Sequence, residues 1–418
     1  MSSPLQLFAA VLLAVLGAAR AENIRVAFPA ERQKLPAVSQ TYVIGSVAPG
    51  RTELLYVNGV TTDVHRTGAF VQMVPVKPGV NTMTLCRGGT RLVRTFTVAE
   101  PADPVPPKAE KPIESDEDPR IGEPAVWKTT GRLLSNRVRS AVDGGDSIFY
   151  LPVNFEFRGA EVKGTKWIVL WLENRRGFLP KSVVARVPDR PGLKLPPKGL
   201  LAPDPADGFP DRPPYGKPPS AVRICVDAGH GSAQVGALSP HGWYEKDVNL
   251  MQARAVRDAL ERVGFQVVMT RDGDANPSLL DRPGMAYEER VDAFISIHHN
   301  STNPDRDPRV ARHTTTYAST SNGLALARCI QKHVAQVMAP VPDAGAQMKS
   351  LAVCRNPAVP SCLVEVDFIN LPEGEEGSWN PDRQKKVADA IVCGVLDWMM
   401  PPPEPVPATG AEDTEQKD

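Results

Sequence analysis

Two histidines in the C-terminal half of the sequence each follow a short apolar run. His230 comes after Ile224-Cys-Val-Asp-Ala-Gly, and His298 after Ala293-Phe-Ile-Ser-Ile. Two glutamates lie in the same region. Glu245 falls in the Gly- and Pro-containing loop after His230, just before a helix predicted from Asp247, and Glu365 sits inside the apolar stretch Cys362-Leu-Val-Glu-Val-Asp-Phe368. Two neutral imidazoles and one carboxylate, each from a different segment, make a zinc set with a fourth position open for water. A second carboxylate nearby is what metal-assisted hydrolysis still needs, to take a proton from the attacking water and hand it to a leaving amine. Each residue also has a structural alternative. A histidine in a Gly-rich turn can be a hydrogen-bonded structural residue, and a glutamate before a helix can serve the positive end of its dipole. Glu365 has the weaker alternative, because an ionised carboxylate inside an apolar strand is costly without a partner or a metal.

The elements that must position these groups alternate between strand and helix. Val222–Val226, Phe265–Met269, Ala293–Ile297 and Cys362–Phe368 read as buried strands. Asp247–Val263 carries apolar residues at helical spacing and closes on Gly264. The segment around Arg282–Arg290 and Asn322–Met338 also read as helices, and the last helix has Asn380 as its cap and Pro381 at its first position. Such alternation predicts a central, mainly parallel sheet flanked by helices over residues 221–400. In sheets of this kind ligands bind beyond the carboxyl ends of the strands, where His230 and His298 fall. Six of the seven histidines lie in this stretch.

The rest of the chain is organised differently. At 418 residues it is too long for one ordinary domain. Residues 1–21 read as a signal peptide, with an apolar core at Leu5–Leu16 and an Ala19-Arg-Ala21 cleavage pattern, although no basic residue precedes the core. No later apolar run is long enough to span a bilayer, so an exported, soluble, periplasmic or extracellular mature chain is expected. Residues 24–98 read as an all-β domain, with Asn58-Gly59 as a hairpin signal. Residues 99–126 form an acidic, Pro-rich linker, and 127–187 form a second all-β domain around Trp167-Ile-Val-Leu-Trp-Leu172. Residues 188–220 hold eleven prolines and read as a second linker, with 401–418 as a disordered tail. With 48 basic and 48 acidic residues the formal net charge is zero, which gives no argument for nucleic acid. Six cysteines permit disulfides in an exported chain, but Cys225 and Cys362 lie in apolar strands, where buried free thiols are expected.

Taken together, Ile224-Cys-Val-Asp-Ala-Gly-His-Gly231, Glu245-Lys-Asp-Val-Asn-Leu250, Thr270-Arg-Asp272, Phe294-Ile-Ser-Ile-His298 and Leu363-Val-Glu365 resemble the zinc-dependent N-acetylmuramoyl-L-alanine amidases that hydrolyse bacterial cell wall. The resemblance covers about 180 residues. It implies His230, Glu245 and His298 as ligands of Zn2+ and Glu365 as the catalytic carboxylate. It implies peptidoglycan as substrate, cut at the amide between N-acetylmuramic acid and L-alanine of the stem peptide. Residues 24–98 also resemble bacterial immunoglobulin-like modules, and the Gly177-Phe-Leu-Pro-Lys181 ending resembles bacterial SH3-like domains. A monomer is expected.

Some positions depart from the family pattern. His299 stands where a small residue is usual, and Val366-Asp367 replace Thr-Gly. By strand alternation Asp367 is expected on the Glu365 face, where it would raise the Glu365 pKa. Asn300, Arg355 and His299 are candidates for touching substrate; Arg355 would do so by binding a carboxylate, or else form a structural ion pair, and His299, alternating away from His298, could instead support the site from behind or be exposed. His241 and His313 are further histidines that could contact substrate, with simple loop exposure as the default reading. Two competing readings are a related zinc peptidase acting within the stem, and an inactive wall-binding protein whose site is blocked by Asp367 or the acidic 373–376 loop.

Overall fold

The computed structural model describes residues 24–50, 52–102, 118–131, 136–142, 145–151, 153–172, 175–188, 214–356 and 358–400. The expected signal peptide, most of the acidic run and of both linkers, and the 401–418 tail lie outside the described residues. The chain is multidomain, with an all-β N-terminal region and a C-terminal α/β domain.

The first eight strands are β1 (Ile24–Phe28), β2 (Lys34–Leu35), β3 (Gln40–Val47), β4 (Leu55–Val57), β5 (Val60–Thr62), β6 (Ala69–Pro75), β7 (Gly79–Arg87) and β8 (Thr90–Val98). They form a sheet in the order β1-β3-β6 and another in the order β2-β8-β7-β4-β5. Val43, Phe70, Leu55, Leu85 and Phe96 pack in one core that draws on both sheets, since alternate residues of each strand point to one side. Asn58 and Gly59 both have positive φ (50° and 79°), as a tight β4–β5 hairpin requires. The alternate residues Tyr42, Ile44 and Val71 pack against Phe368 and Leu371 of the α/β domain.

The second β unit is one seven-stranded sheet with antiparallel neighbours. Its strands are β9 (Ile121–Thr129), β10 (Arg137–Arg139), β11 (Ser147–Tyr150), β12 (Glu156–Val162), β13 (Trp167–Leu172), β14 (Arg175–Pro180) and β15 (Val184–Arg186). Strand β9 begins inside the stretch read as linker. Ala125, Trp127 and Val126 are buried there, which Pro124 and the acidic residues just upstream hide from a composition-based reading.

The α/β domain has a six-stranded sheet in the order β17-β16-β18-β21-β19-β20. Its strands are β16 (Arg223–Ala228), β17 (Gln266–Met269), β18 (Ala293–Asn300), β19 (Thr314–Ala318), β20 (Asp343–Met348) and β21 (Ser361–Phe368). Neighbours run parallel except β19 and β21, so the sheet is mixed. Helices α1 (Glu245–Val263), α4 (Ser321–Met338) and α6 (Pro381–Met399) share the larger core, where Val256, Ile330 and Ile391 meet Val226, Ile295 and Val364. On the opposite face Cys225, Phe294 and Leu363 pack with Ala286 of α2 (Asp281–Glu288) and with Val353. Two short helices, α3 (Pro308–Ala311) and α5 (Pro372–Ser378), complete the set. Gly264 caps α1 with φ 106°, and the Asn380 side chain accepts from the Asp382 and Arg383 amides at the start of α6.

Strands β19 and β20 were not anticipated. Thr314-Thr-Thr316 looks polar, yet all three are buried, with hydroxyls bonded to Glu365 O, Gly345 O and Gln331 Oε1. Cys225, Cys354 and Cys362 are buried free thiols, and burial pushes the Cys225 thiol up.

Candidate active site

The site lies at the carboxyl ends of β16, β18 and β21. Strand β16 stops at Ala228, and His230 itself takes a left-handed backbone (φ 63°), followed by Gly231 at φ 145°. A non-glycine residue in that region is uncommon and persists only where neighbours hold it. Two guanidinium groups do so. Arg271 donates to Ala228 O (2.8 Å), Gly229 O (2.9 Å) and Lys246 O (2.8 Å), and Arg282 donates to Ala228 O (2.8 Å) and His230 O (2.7 Å). Asp227, fully buried, accepts from Arg282 (2.7 Å), Thr270 (2.5 Å) and Ser296 (2.6 Å). Burial alone would raise its carboxyl, but the Arg282 charge and these bonds outweigh it and hold the group below the usual range. Gly229 is required by space, since a Cβ there would collide with the His298 imidazole.

Glu245 is the first residue of α1 rather than part of the preceding loop. Its Oε1 lies 2.9 Å from His298 Nδ1 and its Oε2 3.1 Å from His230 Nε2. The carboxylate also accepts from Ala237 N (2.9 Å), Asn249 Nδ2 (3.0 Å) and His299 N (3.3 Å). Burial pulls Glu245 upward, but the bonds and charges of the two histidines hold it well below the carboxylate range. Conversely, His298 is raised by Glu245 against the opposing pull of burial. The two rings meet edge-on with centroids 4.9 Å apart, and the donor atoms of His230, Glu245 and His298 all lie within 4.8 Å of one another. Two imidazole nitrogens and a carboxylate converging in this way fit a zinc ion in both kind and number of donors.

Glu365 is the register partner of His298 on the adjacent parallel strand. Its Oε2 is buried and, among the described residues, without a hydrogen-bond partner. Burial raises its carboxyl to about 7, with Glu245 adding to the rise and His298 and Lys349 opposing it. A carboxyl poised there exchanges a proton readily near neutral pH.

The other residues singled out in the sequence fall differently. Asn300 ends β18 and accepts the Ser301 amide at 2.8 Å. His299, expected to touch substrate, is only 2% exposed, and its Nδ1 bonds Asn249 Oδ1 at 2.9 Å, behind Glu245. Burial lowers its imidazole to about 4, so the ring is neutral. Part of the Arg355 guanidinium is engaged within the protein. It bonds Ser350 Oγ (3.0 Å) and Ser350 O (2.6 Å) and lies over the Tyr150 ring of the second β unit at 5.6 Å. Asp367 does not act on Glu365 either. It is gripped by Arg312 (2.8 Å) and Arg383 (2.5 Å), which hold its carboxyl down although burial opposes them. His241 bonds Glu375 at 2.8 Å, and His313 bonds Ala311 O at 2.7 Å and packs edge-on against Phe368. Sequence reasoning missed the supporting roles of Asn249, Arg271 and Arg282. Arg271 lay in a quoted motif, but nothing local shows that a side chain will reach back to three carbonyls.

At the strand ends of a mixed α/β sheet, a His-Glu-His set of donors that could hold a metal ion thus stands beside an unpartnered carboxyl. Residues 224–397 match the N-acetylmuramoyl-L-alanine amidase family (Amidase_3), and the chain belongs to that family through this domain. The chain is 31% identical over 183 residues to the uncharacterized protein YqiI of Bacillus subtilis strain 168, covering 43% of this chain and 85% of that protein. It is 27% identical over 217 residues to N-acetylmuramoyl-L-alanine amidase AmiA of Escherichia coli strain K12, covering 42% and 75%. Among solved structures, N-acetylmuramoyl-L-alanine amidase AmiC2 of Nostoc punctiforme aligns at 31% identity over 43% of this chain and 97% of that one, with a TM-score of 0.40.

Proposed function

We propose that the protein is a peptidoglycan hydrolase that cleaves the amide between N-acetylmuramic acid and L-alanine of the stem peptide. The observation that carries this reading is the pairing of His298 with Glu365, which sets an unpartnered carboxyl beside three converging metal donors. Family membership and relatives named as amidases support the bond cleaved.

His230, Glu245 and His298 would hold a zinc ion, which when bound polarises the amide carbonyl and acidifies water. The chain's own residues do the rest. Asn249, Ala237 N and His299 N orient the Glu245 carboxylate, while Arg271 and Arg282 fix the turn that carries His230. Glu365 takes a proton from the attacking water and returns it to the departing L-alanine nitrogen, so that one carboxyl serves as base and then acid. The amide C–N bond breaks, giving a lactyl carboxylate and a free amine.

An inactive wall-binding protein is less well supported. Asp367 is held by two arginines, and two of the acidic residues of α5 are engaged elsewhere, Glu375 by Ser239 and His241 and Glu376 by Arg66. We read the two β units as immunoglobulin-like and SH3-like modules, and the chain as exported to the periplasm or cell exterior, where cell-wall amidases act. Among the described residues no helix is long and apolar enough to cross a membrane. The test is a peptidoglycan digest with analysis of the new termini. Appearance of L-alanine amines supports the amidase, whereas amines from within the stem would replace it with a peptidase.

A further inference from the structure

Cations around the site are mostly engaged by protein partners. Arg271 and Arg282 hold backbone carbonyls, Arg312 and Arg383 hold Asp367, and Lys246 holds Asp274 at 2.8 Å. Lys349 differs. Its backbone is pinned, with N donating to Ala318 O (2.8 Å) and O accepting from Ser319 Oγ (2.8 Å). Its ammonium lies 4.4 Å from the centroid of the Tyr317 ring and, among the described residues, makes no hydrogen bond or ion pair. The residue is exposed.

The place of this charge follows from register. Strand β19 runs antiparallel to β21, with Thr315 opposite Glu365 and Tyr317 opposite Leu363. Tyr317 and Glu365 are therefore diagonal neighbours on one face, within reach of long side chains. The Tyr317 ring that carries the ammonium is thus one diagonal step from Glu365, and the positive charge lowers that carboxyl. It does not pair with it, because Glu365 Oε2 has no partner. A lysine resting on an aromatic face keeps its three N–H donors for a ligand, and the ring face limits where the charge can go.

We propose that Lys349 is a specificity-determining residue that binds a carboxylate of the stem peptide next to the scissile amide. This rests on the amidase reading above. No carboxylate of the described residues meets this ammonium, which leaves it open to an anion of the substrate. In the sequence the carboxylate-binding role fell to Arg355, six residues further along the same segment.

The experiment compares two muropeptides with the same disaccharide, one bearing a free α-carboxylate on the second stem residue and the other bearing that group as its amide. For the wild type and for Lys349→Ala, Lys349→Arg and Lys349→Glu, kcat and KM are measured on each, with melting curves to confirm folding. The expected result is a fall of about fivefold in the preference for the carboxylate substrate in Lys349→Ala, carried by KM, as for an exposed ion pair. Lys349→Arg retains the preference and Lys349→Glu reverses it. An unchanged ratio in Lys349→Ala overturns the proposal, as does an equal loss on both substrates, which would assign Lys349 to Glu365 instead. A wild type that cleaves neither muropeptide refutes the amidase reading and the proposal together, so the two failures are distinguishable.

Discussion

His298 and Glu365 stand directly opposite each other where β18 runs parallel to β21, one interstrand spacing apart. The proposed metal-donor histidine and the proposed proton-exchanging carboxyl are thereby set side by side by backbone pairing rather than by a flexible loop. Glu245 reaches the same point from the first turn of α1, so three rigid elements converge on one small volume.

Replacing Glu365 by Gln keeps its shape and removes its proton exchange. Turnover of peptidoglycan should fall by about 10²–10⁴-fold, while zinc content, measured on the purified variant, stays at the wild-type level. Full activity in this variant would remove Glu365 from the mechanism.

Metal removal should act on a folded protein. Chelation should abolish turnover and lower the melting temperature, because a ligand bound only to the native state stabilises it by mass action. Added zinc should restore both. In His298→Ala the melting temperature should no longer respond to zinc.

Asp227 is the buried counter-charge to Arg282, which in turn holds the His230 carbonyl. Asp227→Ala leaves a guanidinium buried without its partner, so unfolding free energy should drop by about 3–5 kcal/mol in urea titrations. A change below about 1 kcal/mol would mean that the surrounding carbonyls suffice for Arg282.

The contact between the first β domain and the α/β domain should depend on pH. Burial lowers His241, but Glu375 and the Thr67 backbone raise it more, against a lesser opposing push from Arg25. A folded value above the unfolded one means that the contribution is complete below about pH 6.5 and is lost as pH rises through the folded value. Urea midpoints should therefore decline from pH 5.5 to 8.5 more steeply in the wild type than in His241→Ala. Parallel slopes would show that the pair contributes nothing.

The same interface has an apolar centre. Tyr42, 7% exposed, packs toward Phe368 and Leu371, and its amide donates to Pro304 O at 3.0 Å in the loop after β18. Tyr42→Asp should split thermal unfolding into two transitions, because a buried unpaired carboxylate disfavours docking without touching either core. A single transition at the wild-type temperature would refute the coupling.

Much of the α/β domain was legible because its period is local. Continuous apolar runs marked β16, β18 and β21, and Asn380 with Pro381 marked the start of α6. Strands β19 and β20 escaped because buried threonines whose hydroxyls find partners look like surface residues until the partners are known. Asp367 was misplaced for a similar reason. Alternation describes a regular strand, but the β18–β21 pairing shifts register between His298 and Asn300, and Arg312 and Arg383 arrive from elsewhere in the chain.

The sequence by itself determined the chemistry, since two histidines and two glutamates in short diagnostic segments restrict what the site can bind. Only the tertiary structure decided which groups each cation lies against. Arg355 and Lys349 are both basic residues in one connection, and no local pattern tells them apart. Tyr150, from a separate β unit, lies beneath Arg355, and Tyr317, from a neighbouring strand, carries Lys349 beside Glu365. Whether a charge is engaged depends on partners distant in sequence, which only packing brings together.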